Sequence, residues 1–317
     1  MTALYITLGT LSGVLLVVLL TAFICFRLTF YSKARDEKAL AEYRVPPGKA
    51  YEPFREEMIA WVKWAREFPY TEMEIRSFDG LTLRGRYYEK KKGLPIEIQF
   101  HGYRGDSDRD LSGAVARAFA VERNALIVDH RGSGRSEGHV ITFGVKETRD
   151  CLAWIDYAVA CFGENVRLHL TGISMGAATV LMASGEALPP QVKGVLADCP
   201  YSSAKEIIKK VIREMGLPAS LFYPFVRLGA RLFGGFDPND ALPIEAVKRA
   251  RVPVILYHGD ADGFVPVEMS ERLYEACASE QKRFIKVTGA DHGLAFSVDK
   301  ENYLITLNAF IDENHMR

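Results

Sequence analysis

Hydrophobic and polar residues change rhythm three times along this chain. From Leu4 to Phe26 (LYITLGTLSGVLLVVLLTAFICF) no charged side chain occurs, and as a helix the run would span about 34 Å, close to the thickness of a bilayer core. From Ser32 to Pro69 the composition turns charged and aromatic. Val45-Pro46-Pro47-Gly48 is a break, and a helix is predicted around Tyr51 to Glu67. Its Met58, Val62 and Ala65 form a stripe suited to burial, with Trp61, Trp64 and Phe68 expected to pack on the domain rather than at lipid headgroups. After Pro69, short β-like runs give way to strands alternating with helices, the rhythm of a mostly parallel sheet covered on both faces. An antiparallel hairpin around Asp79-Gly80 opens it, from Glu72 to Ser77 and Thr82 to Glu89. Buried strands are expected at Ile96 to Phe100, Ala125 to Asp129, Val166 to Thr171, Val192 to Ala197, Val252 to Tyr257 and Arg283 to Val287. Tyr201 to Ala250 interrupts with helical pieces, Pro and Gly, and reads as an insertion over the sheet.

The pattern divides the 317 residues into an anchor over 1–31, a connector with a packing helix over 32–69, and a main domain over 70–317 carrying an insertion at about 201–250. A cleaved signal peptide fits the first segment less well than an uncleaved anchor. No Lys or Arg precedes the apolar run, no small-x-small site follows it, and Ile24 before Cys25 does not suit a lipoprotein site. Arg27, Lys33, Arg35 and Lys38 flank the run on its C-terminal side, which by the positive-inside rule puts the main domain in the cytoplasm. Gly9 and Gly13 form a GxxxG spacing that reads as ordinary membrane-helix composition. Forty basic and forty acidic residues leave no net charge to gather nucleic acid or another polyanion. Five scattered cysteines, with no CxxC pair, read as free thiols in a reducing compartment.

The sharpest chemical signal is Gly172-Ile173-Ser174-Met175-Gly176, between an apolar strand and a small-residue helix. A serine on such a tight strand-to-helix turn has its hydroxyl projected out of the sheet, beside a helix N-terminus that favours negative charge. A nucleophilic serine needs a base, and in this arrangement the order is Ser, then acid, then His. Of seven histidines, His101, His130, His139 and His169 precede Ser174, and His258 comes before the loop expected to hold the acid. His315 is two residues from the end, which leaves His292, in Gly289-Ala290-Asp291-His292-Gly293, as the base. Asp260 and Asp262 both follow the penultimate strand, and Asp198 follows the strand before it. Met175 N–H is positioned to stabilise an oxyanion. There is no HExxH, Cys/His cluster, GxGxxG or Gly-Lys-Ser/Thr, so neither a metal nor another cofactor is expected.

Four segments in order, His101-Gly102-Tyr103-Arg104-Gly105-Asp106, Asp129-His130-Arg131-Gly132-Ser133-Gly134-Arg135-Ser136, the Ser174 turn and His258-Gly259-Asp260-Ala261-Asp262-Gly263-Phe264-Val265-Pro266, resemble the α/β-hydrolase superfamily over roughly Glu72 to Asp312. Within it the chain is similar to small-cap, membrane-anchored α/β-hydrolase domain-containing proteins. The resemblance implies an α/β fold with an eight-stranded, mostly parallel sheet and a small helical cap after strand 6. It also implies Asp262 as the acid, with Asp260 a turn-forming neighbour, and Tyr103 N–H as the second oxyanion donor. Asp129 and Arg131 are then structural. The activity implied is that of a serine hydrolase on carboxylic esters, acyl or lipid-like; a thioesterase, a peptidase or a non-catalytic membrane-bound binding protein are the alternatives. Within the insertion, Leu217, Leu221, Phe222, Tyr223, Phe225, Leu228 and Phe233 suit either an acyl pocket or ordinary helix packing. The oligomeric state is left open.

Overall fold

The computed structural model describes residues 1–33 and 41–317. Arg35 and Lys38, part of the basic flank after the apolar run, lie outside the described residues. Eight strands form one sheet: β1 (Thr71–Arg76), β2 (Thr82–Tyr88), β3 (Ile96–Phe100), β4 (Asn124–Val128), β5 (Leu168–Ile173), β6 (Val192–Asp198), β7 (Val254–Gly259) and β8 (Lys282–Val287). Their order is β1-β2-β4-β3-β5-β6-β7-β8, with β2 antiparallel to both of its neighbours, β1 and β4, and every other pairing parallel. The parallel centre is buried on both faces: β4 reads as a nearly continuous apolar run, whereas β3 alternates and buries its polar face too, with Glu97 paired to Arg117 and Arg123. Chain order reverses between β3 and β5, so the loops after these two neighbouring strands open side by side at a topological switch point.

Nine principal helices, among the described residues, are α1 (Thr2–Thr29), α2 (Arg55–Glu67), α3 (Ser107–Ala120), α4 (Glu147–Phe162), α5 (Met175–Ser184), α6 (Ala204–Glu214), α7 (Ala219–Gly229), α8 (Val267–Ala276) and α9 (Lys300–Glu313). A 3-10 turn, Lys49–Phe54, leads into α2. Helix α2 packs on the domain: Val62 and Ala65 are buried, Trp61 stacks on Phe296, and Trp64 and Phe68 meet Phe119. The turn resembling a family segment after β4 is structural. Asp129 accepts the N–H groups of Ser107 and Arg135, and Gly134 lies where any Cβ would collide with that carboxylate. Arg131 bridges Asp150 and Asp79. The five cysteines are free thiols.

Helix α1 is 28 residues long and apolar enough to cross a membrane, with a mean hydropathy of 2.4 over its best window. Its final turns are not free-standing. Ala22, Phe26 and Phe30 are buried against the insertion, where Tyr223, Val226, Ala230 and Phe236 complete the cluster. The insertion's apolar residues thus take up the helix-packing role: Phe233 meets Phe23 and Phe26 with ring centroids 5.2 and 5.8 Å apart.

Candidate active site

Ser174 occupies the turn between β5 and α5 with φ 53° and ψ −112°, a conformation that costs an L-residue on the order of 1–3 kcal/mol and is held only by its surroundings. Those surroundings are tight. A Cβ on Gly172 would come within 2.1 Å of the Gly176 carbonyl carbon, and one on Gly176 within 2.0 Å of the Phe100 carbonyl oxygen. Both glycines of the motif are therefore required by backbone contact, the second because it lets α5 press against the end of β3. Ser174 N–H donates to Asp198 O at 2.8 Å, tying the turn to β6.

The loops after β7 and β8 bring two further residues to this serine. His292 Nε2 lies 3.0 Å from Ser174 Oγ, and His292 Nδ1 lies 2.7 Å from Asp262 Oδ2. The other oxygen, Asp262 Oδ1, accepts the N–H groups of Phe264 and Val265 at 2.8 and 2.7 Å. Burial opposes ionisation of this carboxyl, but the hydrogen bonds from His258 and His292 outweigh it and hold the group below the usual carboxylate range. An ionised Asp262 keeps the proton of His292 on Nδ1 and leaves Nε2 facing the serine as an acceptor. Asp260 takes a different part, accepting Gly289 N–H at 2.6 Å at the start of the His292 loop. Asp198 lies in the same cavity; its Oδ1 has no hydrogen-bond partner among the described residues, and burial pushes its pKa up to about 6.

The loop after β3 is pinned from several sides. His130 N–H donates to His101 Nε2 at 3.0 Å, which leaves the proton of the buried His101 on Nδ1 to reach Gly102 O at 2.7 Å. Gly102 N–H donates to Asp110 Oδ2 at 3.1 Å, and a Cβ on Gly102 would lie 3.6 Å from the Ser174 Cβ. Tyr103 and Ser174 both line a cavity of about 210 Å³.

That cavity is walled by α2 and α3 rather than by the insertion. Met58, Trp61, Leu111, Ile173, Phe264 and Phe296 give it an apolar lining, with Asp110, Arg117, Thr171 and Asp198 as its polar members. Several residues that shape it were not assigned a role from the sequence. Tyr51 Oη donates to His292 O at 2.8 Å, and Asp291 Oδ1 accepts the N–H groups of Gly263 and His292 at 2.9 and 2.7 Å. His258 lies with Nε2 3.1 Å from Asp262 Oδ2 and Nδ1 2.6 Å from Ser270 Oγ. Asp291 and His258 carried a signal only by position, in the base-bearing and acid-bearing segments; Tyr51 carried none. Cys199, Asp262 and His292 also bring potential ligand atoms within 4.8 Å of one another. As a metal site this set is poorly suited: burial raises the Cys199 thiol pKa far above its usual value, against the thiolate a metal requires.

Comparison with known proteins agrees with the architecture. A family model described as alpha/beta hydrolase fold matches residues 98–242. The Bacillus subtilis protein YqkD is 27% identical over 190 residues, an alignment covering 60% of this chain and 62% of that protein. Escherichia coli (strain K12) YfhR is 25% identical over 284 residues, covering 87% of each chain. Among solved structures, a Pyrococcus furiosus esterase superposes with a TM-score of 0.64 at 21% identity, covering 86% of this chain and 98% of that one. The switch-point loops, the sheet order and these matches together give the chain an α/β-hydrolase fold.

Proposed function

We propose that this chain is a serine hydrolase that cleaves carboxylic esters, held at a membrane by α1 with its main domain on the cytoplasmic side. The observation that carries the reading is the continuous relay from Ser174 Oγ to His292 to Asp262 at the cavity wall. His292 Nε2 takes the hydroxyl proton as Oγ attacks the ester carbonyl, and the N–H groups of Met175 and Tyr103 receive the oxyanion. The ester C–O bond then breaks, the proton passes from His292 to the leaving alcohol, and an acyl-enzyme remains. Water, deprotonated by the same imidazole, attacks the acyl carbon and frees the acid and Ser174. A mostly apolar cavity of about 210 Å³ is small beside the usual range for drug-sized ligands and favours short acyl groups. The Pyrococcus furiosus neighbour, named as an esterase, supports the same reading.

Labelling of the full chain by a fluorophosphonate probe tests it directly. Labelling is expected in the wild type and absent in Ser174→Ala. A folded wild type that takes no serine-dependent label would overturn the reading. Turnover of p-nitrophenyl esters of graded chain length, against acyl-thioesters and peptides, then separates an esterase from a thioesterase or peptidase.

A further inference from the structure

The C-terminal end of α1 is bonded directly to the loop that follows β3. The last carbonyls of a helix have no partner within it, and in apolar surroundings each unpaired one is costly. Here two of them are met by side chains of adjacent residues in that loop. Tyr103 Oη donates to Thr29 O at 2.6 Å, and the Arg104 guanidinium donates to Leu28 O at 2.7 Å and to Tyr31 O at 3.2 Å. A cation at a helix C-terminus is also favoured by the helix dipole.

The helix end is in turn fixed to the domain. Phe30 is fully buried, with its ring centroid 5.7 Å from that of Phe143 and 5.0 Å from that of Phe236, and the Tyr103 ring lies 4.9 Å from the same Phe143. Ile141 N–H donates to Phe30 O, and Ser32 N–H to His139 O, both at 2.8 Å. Arg104 itself is held at φ 53°, a left-handed turn that only surrounding contacts sustain. The loop's backbone is therefore clamped between two supports: Asp110 and His101 beneath it, and the end of α1 beside it.

We propose that α1 is a positioning element of the active site: its C-terminal carbonyls, through Tyr103 and Arg104, hold the Tyr103 amide where it meets the oxyanion. This rests on the serine-hydrolase reading above. The segment that enters the membrane and the donor that stabilises the transition state then form one mechanical unit. Losing these contacts lowers turnover without removing any group that touches substrate.

Two substitutions in the full-length chain test this, Tyr103→Phe, which deletes one hydroxyl, and Arg104→Gln, which shortens and neutralises the second donor. Each is expected to lower kcat on p-nitrophenyl butyrate roughly three- to tenfold, the worth of one well-made hydrogen bond, with KM nearly constant. Inhibition by a trifluoromethyl ketone, whose adduct on Ser174 carries an oxyanion, should weaken by the same factor, alongside the modest fall in melting temperature that an unpaired carbonyl brings. A merely structural role would lower the melting temperature and leave kcat and inhibitor affinity together at wild-type values. Folded variants that keep both within about twofold overturn the proposal. If wild type is labelled at Ser174 and turns over ester, that result defeats the coupling alone; if wild type is never labelled, the hydrolase reading fails and the coupling fails with it.

Discussion

Replacing Asp262 by asparagine isolates what the carboxylate does for His292. Asp262 Oδ1 accepts two backbone N–H groups, from Phe264 and Val265, and a donor cannot take that place. The side-chain amide introduced by Asp262→Asn must therefore turn its oxygen toward those two groups and its NH2 toward His292 Nδ1, where Oδ2 now lies at 2.7 Å. An NH2 in that position makes Nδ1 an acceptor and moves the imidazole proton to Nε2, which then presents N–H rather than a lone pair to Ser174 Oγ. The variant loses its base, and its NH2 also displaces the hydrogen bond that His258 Nε2 makes to Oδ2. In a Ser-His-Asp enzyme this kind of tautomer reversal lowers kcat by roughly 10⁴, or about 5 kcal/mol of transition-state stabilisation, and a loss of that order is expected here. Steady-state turnover of a p-nitrophenyl ester, with KM and melting temperature as controls, reads it. Asp262→Ala lacks the amide donor, leaves either tautomer open to His292, and should retain more activity than Asp262→Asn. A folded Asp262→Asn enzyme within about tenfold of wild type would refute the reasoning.

The elements of the sheet were largely legible because its centre obeys simple rules. A parallel strand buried on both faces reads as an apolar run, as β4 does, and β3, β4 and β6 begin and end within a residue or so of the expected positions, although the alternating Glu97 and Gln99 of β3 gave no sign that its second face is buried. Ser174 was visible because a strained turn needs glycines that cannot be exchanged, and His292 because chain order excluded the other histidines. Asp262 was different. Asp260, Asp262 and Asp198 are chemically equal in one dimension, and what separates them is the direction of each side chain after a turn, fixed by Phe264 N–H, Val265 N–H and Asp291. Where the end of α1 packs, and that α2 walls the cavity, were hidden for another reason. Lipid and protein interior select the same side chains, so Ala22, Phe26 and Phe30 look no different from the lipid-suited residues before them, although they are buried in the domain. Likewise Tyr51 reaches His292 across 241 positions of sequence, and Trp61 walls a cavity whose other side is a loop near the opposite end of the chain. Such contacts follow from how the connector wraps the finished sheet, and no local pattern records them.

Trp61→Ala removes one wall of the cavity and the stack on Phe296. It should move the preferred acyl chain toward longer esters, with kcat/KM for the shortest substrate falling; an unchanged chain-length profile in a folded variant would show that α2 does not shape the acyl site. Asp198→Asn tests the opposite kind of effect, a buried charge that costs stability. Burial raises the folded pKa of Asp198 to about 6 from an ordinary 3.8. Below about pH 4 the carboxyl is protonated in both folded and unfolded chains and contributes nothing. As pH rises from about 4 to 6 the unfolded chain releases the proton first, so folding stability falls, and above about 6 the full penalty is present, of order 3 kcal/mol for a shift of about two units. An asparagine carries no such penalty. The variant should therefore match wild type in thermal unfolding at pH 4 and exceed it at pH 7 by several degrees, with the gap opening between those values. An equal or lower melting temperature at pH 7 would mean that Asp198 is ionised at no cost in the folded protein, and that a partner compensates the charge beside Ser174.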